Sequence, residues 1–126
     1  MREHDIYLMI ADYMRYKHPS VIYRFDLAAD LKLTMGQAAK HKRLQHFRGY
    51  PDLFIAQPTK KFAGLFLEIK KEGTTIFLKN GKLTADQHIR EQFDMLNDLA
   101  NAGYKAEFGI GFDDCIKKID EYLAGH

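Results

Sequence analysis

The sequence predicts an α/β protein built as a mixed β-sheet flanked by helices. Three observations carry this expectation. Segments with helical spacing of apolar residues alternate with short runs rich in β-branched and aromatic residues. Two apolar runs, near residues 54 and 66, are separated by a tight polar turn and must be antiparallel. The last strand follows a helix that itself follows a strand, a crossover that makes those two strands parallel with a right-handed connection.

Each element has a local reason. Residues 3–17 read as a helix, with Ile6, Met9, Ile10, Tyr13 and Met14 at helical spacing. Pro19 ends it, because proline disfavours the helical conformation of the residue before it. Residues 21–25 read as a strand. Residues 27–33 are ambiguous, and 34–46 form a polar, basic helix or helical loop. Gly49-Tyr50-Pro51 signals a turn. Leu53 to Ala56 is a short apolar strand, Pro58 to Lys61 a turn, and Leu65 to Lys70 the next strand. Thr75 to Leu78 starts a small ribbon closed by Asn80-Gly81, a favoured hairpin pair.

Thr84 opens the clearest helix, with Gln87 three residues on in the pattern of a capping box. Ile89, Phe93, Leu96 and Leu99 form its stripe, and Gly103 is its stop signal. Lys105 to Ile110 is the last strand. Asp113 or Asp114 caps a final helix whose Ile116, Ile119 and Leu123 face inward.

The 126 residues form a single expected domain, 1–126, and 46% hydrophobic residues suffice for one core. Nineteen basic against 17 acidic residues give a net charge of +2, which excludes an acidic disordered tail and a histone-like protein. A weak net charge still allows a basic face. The one cysteine, Cys115, reads as a small core residue, cannot make an internal disulfide and points to a reducing cytoplasm. The six histidines show no zinc spacing. No apolar run reaches the ~18–20 residues of a membrane span.

The chemistry concentrates in Pro51-Asp52 and Glu68-Ile69-Lys70. Positions 52 and 68 are symmetric about Lys60 in the expected turn, so Asp52 should lie across from Glu68. Opposed residues of an antiparallel pair have Cβ atoms ~4.5–5.5 Å apart. Two carboxylates that close repel unless a cation lies between them. Lys70, two residues after Glu68, projects from the same face. Leu65, Leu67 and Ile69 are core positions, and a charged triplet amid core strands is costly unless paired or coordinated. Oxygen ligands suit Mg²⁺ or Mn²⁺.

At these residues the chain resembles the PD-(D/E)xK nuclease superfamily, and within it the VRR-NUC family. The resemblance rests on Arg48-Gly49-Tyr50-Pro51-Asp52-Leu53, on Glu68-Ile69-Lys70, on Thr84-Ala85-Asp86-Gln87 opening a helix, and on Glu3 in the first helix. It spans residues 3 to about 112. It implies a restriction-endonuclease-like fold and Mg²⁺- or Mn²⁺-dependent hydrolysis of DNA phosphodiesters. It implies metal ligands at Asp52, Glu68 and the Ile69 carbonyl, with Glu3 on the metal or its water shell. Lys70 would be the catalytic lysine and Gln87 a site residue. It also implies a homodimer of the phage type acting on branched DNA such as Holliday junctions, in a bacterial or phage-infected cytoplasm.

Each residue also has a plainer reading. Asp52 can be a turn aspartate, Glu68 and Lys70 a cross-strand ion pair, Gln87 a helix cap, and Glu3 a first-turn acid favoured by the helix dipole, where Asp5 competes with it. Lys40, Lys42, Arg43 and Arg48 are expected to contact DNA phosphates, as are Lys60 and Lys61 at the turn; the plainer reading is a solvated face. The rival function is a non-catalytic DNA-binding module on the same fold. A weaker rival, a hydrolase of other phosphate esters, lacks a glycine-rich phosphate loop. Candidate dimer surfaces are the side of the first helix with Tyr7, Tyr13 and Tyr16, and the segment 27–37.

Overall fold

A computed structural model describes residues 1–27 and 32–125. Residues 28–31, in the middle of the segment 27–37 expected to serve a dimer, lie outside the described residues. The elements are α1 (Glu3–Lys17), β1 (Tyr23–Phe25), α2 (Met35–Leu44), β2 (Leu53–Ile55), β3 (Leu65–Lys70), α3 (Gln87–Asn101), β4 (Lys105–Ile110) and α4 (Phe112–Ala124). The four strands form one sheet in the order β1-β2-β3-β4. β1 and β2, and β2 and β3, pair antiparallel, whereas β3 and β4 pair parallel across the α3 crossover.

Alternation along β3 divides the core in two. Leu65, Leu67 and Ile69 are fully buried with Leu53 and Ile55 against Ile6, Ile10 and Met14 of α1 and Cys115, Ile119 and Leu123 of α4. Each such side chain contributes about 1.5–3 kcal/mol of burial. On the other face, Ile89 and Leu96 of α3 pack with Phe108 and with Ile76 of the 75–83 ribbon. The ribbon closes as the Asn80-Gly81 pair predicts, with Phe77 bridged to Leu83 and Gly81 at φ 83°. All six residues of β3 are buried, because β3 lies between two strands and has helices on both faces.

Several boundaries differ from expectation for local reasons. β1 begins at Tyr23 and not at residue 21. The cap of α3 is Asp86, whose side chain accepts the Ile89 N–H, so the helix begins at Gln87 and the expected Thr84–Gln87 box does not form. A capping box forms instead at α2, between Thr34 and Gln37. Neither Asp113 nor Asp114 is the cap of α4: Gly111 holds that position at φ 81°. Asp114, in the first turn, reaches back to accept the Ile110 N–H at 2.9 Å. The tyrosines of α1 do not share one face. Tyr7 is buried against Phe25, Tyr13 bonds Asp120 of α4, and Tyr16 is exposed. No helix among the described residues is long and apolar enough to cross a membrane.

Candidate active site

The register of the β2–β3 hairpin places the site. Leu53 pairs with Leu67 and Ile55 with Leu65, so the next position outward sets Asp52 across from Glu68, as the symmetry about Lys60 predicts. Asp52 stands just before β2 and is held twice. Its backbone carbonyl accepts the Asp26 N–H at 2.8 Å, and its Oδ2 accepts the Ile69 N–H at 2.8 Å. A strand residue's N–H and C=O leave on the same side, so the Ile69 carbonyl also faces the Asp52 side. The Lys70 carbonyl faces the opposite side and accepts the Gly111 N–H.

The approach to Asp52 depends on Gly49. Its φ is 74°, and a Cβ there would lie 2.7 Å from the Glu91 carbonyl oxygen. Only a glycine lets this segment lie against α3 in that left-handed conformation. Pro51 follows, fully buried. The chain thus enters β2 pinned against the helix that supplies the site's next residue.

That residue is Gln92, which sequence reasoning missed. Gln92 of α3 is 4% exposed and donates from Nε2 to Glu68 Oε1 at 2.5 Å. The same Nε2 lies 3.1 Å from His88 Nε2. The expected glutamine, Gln87, is exposed at the first position of α3. The only signal for Gln92 is a polar residue interrupting the apolar stripe between Ile89 and Leu96. Tyr7 also escapes sequence reasoning as a site residue; its hydroxyl hydrogen-bonds Asp52 from the α1 side.

Glu68 is 3% exposed, and Lys70 Nζ lies 4.0 Å from its Oε1. Burial, reinforced by the Asp52 charge, pushes the Glu68 carboxyl up to about 9, with Lys70 opposing. Burial also raises the Asp52 carboxyl above its ordinary value, against the Tyr7 and Ile69 hydrogen bonds, and the Glu3 charge adds to the rise. Glu68 Oε2 and Gln92 Oε1 are buried with no hydrogen-bond partner among the described residues. Buried polar atoms are nearly always paired, so an orphaned carboxylate oxygen beside a second carboxylate fits a cation site.

Glu3 is half-buried in the first turn of α1. Among the described residues no three histidine, cysteine, aspartate or glutamate side chains are grouped to hold a metal ion. Glu3 therefore enters the site as a nearby charge, and the protein donors brought together are Asp52, Glu68 and the Ile69 carbonyl. Two carboxylates and a carbonyl suit Mg²⁺ or Mn²⁺, which keep several waters.

The basic residues divide. Lys40, Lys42 and Arg43 are exposed on α2, which buries none of its residues. Arg48 Nη1 lies 3.8 Å from Glu91 Oε1, next to Gln92. Lys60 and Lys61 are exposed in the β2–β3 connection, at the end of the hairpin opposite Asp52 and Glu68. From Lys61 to Glu68 the chain runs seven residues, roughly 20 Å at strand rise. The expectation that this turn lies near the site is corrected by the register.

A solved structure described as a VRR_NUC domain protein matches all of this chain, and 91% of its own, with a TM-score of 0.72 at 24% identity. The likeness establishes the fold, a restriction-endonuclease-like mixed sheet, as the sequence resemblance implied. No family model and no curated protein matches the chain.

Proposed function

We propose that the protein is a Mg²⁺- or Mn²⁺-dependent endonuclease that hydrolyses DNA phosphodiester bonds. One observation carries the reading: a buried glutamate with an unpartnered oxygen, side by side with a half-buried aspartate and a buried lysine on otherwise apolar strands. Asp52, Glu68 and the Ile69 carbonyl would hold the cation, with Glu3 acting on its water shell. When bound, a divalent cation supplies acidity to a coordinated water and neutralises charge on the phosphate. Lys70, kept nearly dry beside Glu68, directs its ammonium to the attacking water and to charge developing on the phosphate. Gln92 holds Glu68 in place. The exposed Lys40, Lys42 and Arg43 of α2, with Arg48 at the rim, contact the DNA backbone.

The proposal extends to branched DNA, including Holliday junctions, and to a homodimer that makes two cuts. At its C-terminal end α2 leaves Leu44 72% exposed, and Phe47 beyond it is 68% exposed. A second copy of the chain is the partner proposed for this surface. Light scattering on the wild type and on a Leu44→Asp, Phe47→Asp double variant tests it: a dimer that becomes a monomer supports it, and a monomeric wild type refutes it.

The test of the nuclease itself is cleavage of labelled four-way junction, flap, single-stranded and duplex DNA with Mg²⁺ or Mn²⁺, alongside Asp52→Ala. Cation-dependent cutting lost in the variant supports the reading. Salt-sensitive DNA binding that ignores the cation and yields no cuts would replace it with a binding module.

A further inference from the structure

His88 lies outside every role given above, yet it touches the site's buried amide. It sits one helical turn before Gln92 on α3, so the two side chains share a face. Its ring is exposed at the helix start, whereas Gln92 is buried.

The chemistry of the contact is determined by the atoms. An amide nitrogen carries two protons and accepts nothing. Gln92 Nε2 contacts Glu68 Oε1 and His88 Nε2 at the same time. Both contacts are therefore donations, and His88 Nε2 is the unprotonated nitrogen of a neutral ring whose proton sits on Nδ1. With Glu68 ionised, as a cation ligand must be, a turned-over amide would set Gln92 Oε1 against the carboxylate oxygen, acceptor against acceptor in a nearly dry space. The Glu68 carboxylate thus selects the amide orientation from inside, and the amide presents its second proton to His88 on the solvent side.

We propose that His88 is a positioning residue: by accepting the second amide proton of Gln92 it fixes that amide, and through it the Glu68 carboxylate, for the cation. This rests on the reading of Glu68 as a cation ligand. A group bonded directly to a metal ligand, the place Gln92 holds, is worth about 10–100-fold in metal affinity, and His88, acting through Gln92, falls at the low end of that range.

The experiment is Mn²⁺ titration by calorimetry on wild type, His88→Leu and His88→Gln, with melting curves and nitrogen NMR of the His88 ring and the Gln92 side-chain amide. His88→Leu should weaken Mn²⁺ binding about tenfold with an unchanged melting temperature. His88→Gln, whose amide oxygen can accept the same proton, should restore it. The wild-type ring should carry its proton on Nδ1, and the Gln92 amide resonances should move in His88→Leu and return in His88→Gln. Unweakened Mn²⁺ binding in His88→Leu, or a proton on Nε2 of the neutral ring, overturns the proposal. A wild type that binds no Mn²⁺ sinks the cation reading instead, and the NMR result then decides on its own whether His88 orients Gln92.

Discussion

Glu68, between β3 and α3, and Asp120, between α1 and α4, are both carboxylates met by protein hydrogen-bond donors and a lysine, the first buried and the second half-buried. Their surroundings have opposite effects. Asp120 Oδ2 accepts the Tyr13 hydroxyl at 2.5 Å, its Oδ1 bonds His18 Nε2 at 2.8 Å, and Lys17 Nζ lies 3.8 Å away. Burial works to raise its carboxyl, and the Tyr13 and His18 hydrogen bonds with the Lys17 charge overrule it, holding the group below its ordinary value. Glu68 has one bonded oxygen and one orphan, and its carboxyl is raised to about 9. The satisfied carboxylate ties α1 to α4. The unsatisfied one leaves room for something the chain does not supply. Deeper burial and a shorter supply of hydrogen-bond partners act together to separate the two: the Glu68 side chain is 3% exposed and that of Asp120 32%.

The largest effect expected from this contrast is on cleavage. Asp52→Asn and Lys70→Ala should each lower the cleavage rate about a hundredfold or more, measured at saturating cation. Glu68→Gln should abolish cleavage as well, yet raise the melting temperature of the cation-free protein, because it removes a buried ionisable acid. Asp120→Asn should do the reverse. It should leave cleavage intact and lower stability by about 1 kcal/mol in denaturant titration, the worth of the hydrogen bonds it weakens. Equal stability changes in the two variants would erase the distinction.

A pH series of melting temperatures in chelator sharpens the contrast. The folded-state value of Asp120 is depressed, so its stabilisation is complete above the unfolded carboxylate value and is lost as pH falls through the folded one. Glu68 is raised from 4.5 to about 9, so its contribution is complete below 4.5 and is lost as pH rises toward about 9. Asp120→Asn should therefore flatten the acid side of the stability curve, and Glu68→Gln the neutral-to-alkaline side. A Glu68→Gln curve that overlays wild type from pH 5 to 9 would contradict the assignment.

The smallest effects concern the two groups of basic residues. Replacing Lys40, Lys42 and Arg43 with alanine should weaken DNA binding. It should also reduce the slope of log affinity against log salt by up to about one unit for each phosphate that is no longer neutralised. Lys60→Ala with Lys61→Ala should leave both nearly unchanged, since that turn lies at the far end of the hairpin from Asp52. A larger effect from the turn lysines would mean that DNA also crosses the far end.

Much of this architecture was legible in one dimension. The boundaries of α1 and β3 agree with the periodicity, and the Thr75–Gly81 ribbon with its turn pair. The Asp52–Glu68 pairing followed from counting about Lys60, because an antiparallel hairpin with a short polar turn has little freedom in register. Lys70 followed from the period of two along a strand. These features depend on neighbours in sequence or on a single turn, and local stereochemistry settles them.

Other features depended on how the elements pack. Gln87 and Gln92 are both polar residues near the start of one helix. Only the rotation of α3 about its axis, set by Ile89 and Leu96 against Ile76 and Phe108, turns Gln92 inward onto Glu68 and leaves Gln87 in solvent. Tyr7 shows an apolar ring at a core spacing, and its hydroxyl becomes a site donor only because α1 passes the mouth of the β2–β3 pair. Lys60 and Lys61 are adjacent to the hairpin in sequence and remote from the site in space, because a strand carries its two ends apart at about 3.3 Å per residue. Periodicity and turn chemistry were enough for the elements, the hairpin register and the Asp52–Glu68–Lys70 triplet, since they encode which residues share a face. Which face meets which partner was settled by packing between segments distant in the chain, and no local pattern carries that choice.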